Sequence, residues 1–101
     1  MNTEDVARMT QLLRAQFVET AFDKPGMDEL VQMYAVLALT KGVTVTNRDV
    51  HHAWVIWARR HDPANPDIVL YDQLPRSMQN EDSPFVRAIH AVARDIKTPL
   101  V

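Results

Sequence analysis

The chain has 101 residues, a formal net charge of −2 and no cysteine. One domain of this length buries roughly 60–70% of its unfolded surface and folds without a staple, while the missing cysteines exclude a disulfide framework, a thiolate metal site and a cysteine nucleophile. The mild acidity lacks the basic stripe of a general nucleic-acid binder, and the longest apolar run, Leu30 to Leu39, is broken by Gln32 and falls short of the ~20 residues that span a bilayer.

Val6, Met9, Leu13 and Phe17 recur at steps of three and four, which predicts a first helix over residues 3–20 with Thr3 as its cap. Asp23-Lys-Pro-Gly26 breaks that pattern and reads as a turn, because proline restricts its predecessor and glycine accepts positive φ. A second helix is expected over residues 27–41, with Leu30, Tyr34, Leu37 and Ala38 on one face and Val31 and Val36 widening it. So broad an apolar surface predicts a central element or one covered by another subunit. With Met33, Val36, Tyr34 and Leu37 around this helix, self-association as a homodimer or higher homo-oligomer is the expectation.

Gly42 suits the end of that helix, and Val43-Thr-Val45 reads as short and extended. Thr46-Asn-Arg-Asp49 has the form of a capping box, in which threonine and an acid three residues on satisfy each other's amides, so a third helix should follow to about Arg60. Asp62-Pro-Ala-Asn-Pro66 cannot continue it, since proline lacks the amide donor. Ile68-Val-Leu-Tyr71 has β-branched and aromatic composition and predicts a short extended segment; Pro75 suits the first turn of a short helix. Ser83-Pro84 then opens a last helix along Phe85, Ile89, Val92 and Ile96, and the residues from Pro99 form a tail. The fold class expected is a compact, mainly α bundle of four or five helices with one short extended segment, a single domain over residues 1–101 in which residues 1–45 form a helical pair.

His51, Trp54 and Ala58 share a face of the third helix, with Val50 and Trp57 on the neighbouring one. Trp54 and Trp57 are either core side chains or, for Trp54 first, the wall on which a planar base stacks. The adjacent His51 and His52 diverge by about 100° on a helix and cannot readily hold one metal ion together. His51 either bonds the backbone across the fold or contacts a ligand, His52 lies at a rim, and His90 among alanines faces solvent. Arg48, Arg59, Arg60 and His61 give this helix a positive bias, which serves the helix dipole or, through Arg48 and Arg59, a ligand phosphate. Asp72 caps a turn or accepts from an amine, Glu81 and Asp82 serve the last helix's start, and Gln79 is a weak ligand contact. With two glycines in the chain a phosphate-cradling loop is excluded, and no triad or His-Glu-x-x-His motif occurs, so no enzyme and no cofactor is expected.

Val50-His-His-Ala-Trp54, then Pro66-Asp-Ile-Val-Leu-Tyr-Asp-Gln-Leu-Pro75, then Glu81-Asp-Ser-Pro-Phe85 resembles the RyR repeat, the small domain named after the ryanodine receptor. The likeness covers residues 50 to about 93, within a module over 46–97, and departs from the receptor version in lacking a Gly-Trp-x-Tyr-Gly element between Trp57 and Pro66 and in having Asn65 before the strand's proline. What the resemblance implies is a stand-alone ligand binder. It would hold a nucleotide or nucleotide-derived signal through His51, His52, Trp54, Trp57, Arg48, Arg59, Tyr71 and Asp72, as in a phage protein that sequesters a host immune messenger. A protein-interaction module and a small nucleotide hydrolase using His51 or His52 are the alternatives. Glu4 and Asp5 oppose a signal peptide, so the cytoplasm is the expected location, the host's if the protein is phage-encoded.

Overall fold

A computed structural model describes residues 3–16 and 26–95 of the chain. Its elements are α1 (Thr3–Arg14), α2 (Met27–Lys41), α3 (Asn47–His61) and α4 (Ser83–Asp95), with 3₁₀ turns at Gly42–Thr44 and Tyr71–Gln73. The helical bundle expected from the periodicity is observed. α2 is the central helix and packs against each of the other three.

That place follows from a sequence apolar on almost every side. Leu30, Val31, Tyr34, Ala35 and Ala38 of α2 are all buried, and Met9 and Leu13 of α1, Val50, Ala53 and Ala58 of α3, and Ile89 and Val92 of α4 close on them. Leu13 is fully buried, so truncating it to alanine would cost about 2–5 kcal/mol, part transfer and part cavity.

Both ends of the α2–α3 connection are set by local chemistry. Gly42 takes φ 55° and its N–H reaches the Ala38 and Leu37 carbonyls, closing α2 as expected. The Thr46 capping box is present: Thr46 Oγ1 accepts from Asp49 N at 3.3 Å and Asp49 Oδ2 accepts from Thr46 N at 3.0 Å. The other Asp49 oxygen accepts from Lys41 Nζ at 2.8 Å, tying the end of α2 to the start of α3.

Several local expectations are corrected. Val43–Val45 is not extended; residues 42–44 form the 3₁₀ turn, which packs against α4. Residues 66–70 pass through bends into the second 3₁₀ turn, and residues 76–82 are successive turns where a short helix was expected at Pro75. His90 does not face solvent: its Nε2–H donates to the Val45 carbonyl at 2.7 Å and joins α4 to the α2–α3 connection. The expected continuation of α1 to Phe17 and residue 20, the residues 23–25 of the turn, Ile96 and the tail from Pro99 lie outside the described residues.

The resemblance to the RyR repeat is overturned. It places a strand at residues 66–71, yet no strand occurs among the described residues, and the segment is held by side chains of α3 instead of by a partner strand.

Candidate functional site

The loop from Asp62 to Leu74 folds back over α3. Asn65 shapes its first turn, donating from Nδ2 to Asp62 Oδ2 at 2.9 Å and accepting from Asp67 N at Oδ1, also at 2.9 Å. The two adjacent histidines of α3 then hold the loop by opposite chemistry. His51 Nε2–H donates to the Val69 carbonyl at 2.7 Å, because a carbonyl can only accept. His52 Nε2 accepts from the Tyr71 amide at 3.3 Å, which requires its proton on Nδ1. Further on, Tyr71 donates its hydroxyl to the Gln79 carbonyl at 3.1 Å while Gln79 Nε2 reaches the Tyr71 and Leu74 carbonyls, so residues 71–79 are clamped reciprocally.

Between this loop, α3 and the start of α4 lies a recess of about 200 Å³. His51 and Trp54 form one wall, Leu74 and Met78 another, and the carboxylates of Asp67, Glu81 and Asp82 its polar surface. The His51 and Trp54 rings stack at 5.7 Å and 27°. His51 is 3% exposed. Its Nδ1 has no hydrogen-bond partner among the described residues, and none of their buried side-chain nitrogens or oxygens is both sealed and unpartnered, so Nδ1 opens onto the recess that the ring lines. When the ring is neutral with its proton on Nε2, Nδ1 presents a lone pair.

Four carboxylates elsewhere on the surface are ion-paired. Asp28 pairs with Arg14, Glu29 with Arg60 and His61, Asp49 with Lys41 and Asp72 with Arg48. No ion pair or side-chain hydrogen bond engages the carboxylates of Asp67, Glu81 or Asp82 among the described residues. Burial holds the Asp82 carboxyl above the usual carboxylate range; a charge on His51 pulls it down and Glu81 adds to the rise. The recess is therefore a small space with an aromatic wall and three carboxylate side chains in its lining.

The eight candidate residues do not converge. His51 and Trp54 line the recess; Trp57 does not, being 7% exposed with its indole N–H donated to the Gly26 carbonyl at 2.7 Å and its ring stacked on His61 at 4.9 Å. Arg48 is engaged by both oxygens of Asp72, at 2.6 and 3.1 Å, and its guanidinium lies 5.3 Å from the centre of the Tyr71 ring. Asp72 is held below the usual range first by that bond. His52 and Arg59 lie over a separate hollow of about 370 Å³ with Ile56, Ile68 and Leu70. A second hollow, of about 390 Å³ between α2 and α3, is lined by Met33, Val36, Leu37, Ala53 and again His52 and Ile56. Together they make an apolar face on which Val36, Ile56 and Leu70 are exposed. Tyr34, expected on one apolar face with Leu30, Leu37 and Ala38 and counted toward a self-association surface, is 1% exposed within the core, and burial, with some help from Asp82, raises its pKa.

Asp67, Glu81 and Asp82 as recess walls were missed from sequence, where they read as loop and helix-start acids. The available signal was that no basic residue lies between Arg76 and Arg87 to pair with Glu81 and Asp82. No group of three or more His, Asp or Glu among the described residues could hold a metal ion, and no helix there is long and apolar enough to cross a membrane. No curated protein and no solved structure matches the chain. One family model does, over residues 4–94, and it runs through all four helices and the recess: the chain belongs to the family described as Domain of unknown function (DUF7701).

Proposed function

We propose that this chain is a non-catalytic binding module whose ligand is a small planar molecule of the nucleobase kind, free or as part of a nucleotide-derived signal, held in the recess beside Trp54. The observation that carries this reading is the joining of a flat aromatic wall, the buried His51 lone pair and unpaired carboxylates in one recess. Convergent polar groups beside an aromatic wall are what fixes the orientation of a small ligand. Base–aromatic stacking contributes roughly 1–3 kcal/mol per base, and acceptors along the wall suit the amino edge of a heterocycle. A binding role, as opposed to hydrolysis, is favoured because His51 and His52 each commit a nitrogen to the loop backbone. The test is a thermal-shift screen of the purified protein against bases, nucleosides, linear and cyclic nucleotides and ADP-ribose derivatives. A ligand at 100 times its Kd stabilises by about 2.7 kcal/mol. It should be recovered chemically unchanged, and Trp54→Ala should lower its affinity more than tenfold. A folded Trp54→Ala variant that binds as before would refute the site.

The apolar face favours a second reading, an association surface used for a homodimer or a protein partner. Val36, Ile56 and Leu70 expose 39%, 53% and 63% of their surface beside two adjoining hollows, a contiguous patch of the sort that marks interfaces. Light scattering should give a dimer mass that Ile56→Arg reduces to the monomer. A monomer at every working concentration would remove self-association.

A further inference from the structure

The recess has a chemical selectivity that its shape alone would not give. We infer that it is a site for a flat organic cation, an amidinium, guanidinium or protonated amino-heterocycle, and that it disfavours an anionic group such as phosphate. This inference rests on the reading of the recess as a ligand site and names the ligand class.

The charged side chains lining the recess are all acids, Asp67, Glu81 and Asp82, and they stand beside His51 and the Trp54 indole. The carboxylates come from two places, Asp67 from the Asp62–Leu74 loop and the adjacent Glu81 and Asp82 from the turn before α4, so they do not all serve one helix start. Asp82 is placed to cap α4, and its main-chain carbonyl does accept from the Phe85 and Val86 amides, both at 3.0 Å. Its carboxylate makes no such bond and is left for the recess. The independent second feature is His51, a nine-tenths-buried polar side chain with one nitrogen spent on Val69 and the other unpartnered and open to the same space.

A ligand that completes this arrangement must bring donors and positive charge. It must also be planar, since it lies along the stacked His51 and Trp54 rings, where the face of an indole attracts a cation. The parallel N–H groups of an amidinium match a carboxylate bidentately. A phosphate would meet like charges, and the cations expected to hold it are elsewhere: Arg48 is engaged by Asp72, and Arg59 lies over the separate hollow.

The experiment compares three isosteric probes, benzamidine, benzamide and benzoate, by NMR titration of the full chain at fixed ionic strength. Benzamidine should shift the Trp54 indole and bind about tenfold more tightly than benzamide, the worth of one charge-assisted hydrogen bond, and benzoate should not bind. Asp82→Asn and, separately, Glu81→Gln should each weaken benzamidine at least threefold and narrow its advantage over benzamide. Equal affinity for benzamidine and benzamide would overturn the charge preference while leaving the recess a planar-ligand site. If neither probe perturbs Trp54, or benzoate binds best, the recess reading falls as well.

Discussion

Gly26→Ala offers the most direct test of how the start of α2 is locked to α3. Gly26 has φ 85° and ψ −5°, a left-handed conformation that costs an L-residue roughly 1–2 kcal/mol. A Cβ built there would lie 2.7 Å from Cε1 and Nδ1 of His61, so the imidazole must move. It is not free to do so without loss, because its ring stacks on Trp57 at 4.9 Å and its Nε2 meets Glu29 at 2.8 Å. The Gly26 carbonyl, moreover, takes the Trp57 indole N–H at 2.7 Å, and a shifted residue 26 strains that bond. The backbone part alone should lower Tm by about 4–16 °C, at 4–8 °C per kcal/mol for a domain of this size. Thermal unfolding followed by circular dichroism measures it. In a His61→Ala background the same substitution should cost less, because only the steric part is relieved, and the remaining loss reports the backbone. An unchanged Tm for Gly26→Ala in the parent chain would refute the left-handed assignment and the Trp57 anchor that depends on it.

Trp57→Phe keeps most of the buried ring but leaves the Gly26 carbonyl without its indole donor, and should cost about 1–3 kcal/mol in urea unfolding. Asp82→Asn should raise Tm at neutral pH: the folded-state pKa is raised, so the ionised carboxylate opposes folding above that pKa, and the advantage of asparagine should vanish as pH falls below the ordinary carboxylate range. Asp49 behaves oppositely; burial pushes its carboxyl up, but Lys41 and Thr46 outweigh that and hold it below the usual value, so its contribution is present at neutral pH and lost as pH falls through the lowered pKa. Asp49→Asn should therefore flatten the acid limb of a Tm–pH profile. Arg48→Ala, which removes an exposed pair, should change Tm little and leave binding in the recess unaltered, as titration with the probes above would show.

The helices were legible because their periodicity and punctuation agree. The Gly42 stop, the Thr46–Asp49 box and the stripe of Phe85, Ile89 and Val92 are local signals, and local geometry followed them. Where long-range contacts decide, sequence misled. Ile68-Val-Leu-Tyr71 has strand composition, but among the described residues it has no partner strand, and the His51 and His52 rings satisfy main-chain atoms of Val69 and Tyr71 instead. His90 read as solvent-facing because its neighbours along the chain are small, whereas its partner, Val45, is 45 residues away. The recess was half visible: His51 and Trp54 share a helix face and could be read off, but the acids opposite arrive from the loop and the turn before α4, whose paths no periodicity encodes. Arg48 looked like a phosphate ligand because its partner Asp72 lies 24 residues on.

The paired histidines of α3 have a consequence for how this family can diversify. Both grip the loop by main-chain atoms, one by a carbonyl and one by an amide, so neither contact depends on the side chain of Val69 or Leu70, while Tyr71 adds its own tie to Gln79. Val69 and Leu70 can be exchanged without loosening the grip, and Leu70 is already mostly exposed on the apolar face. The same loop contributes Asp67 to the recess on one side and Leu70 to that face on the other. Drift in a few loop residues can thus reshape the recess or the face while α3 and the core behind it stay fixed.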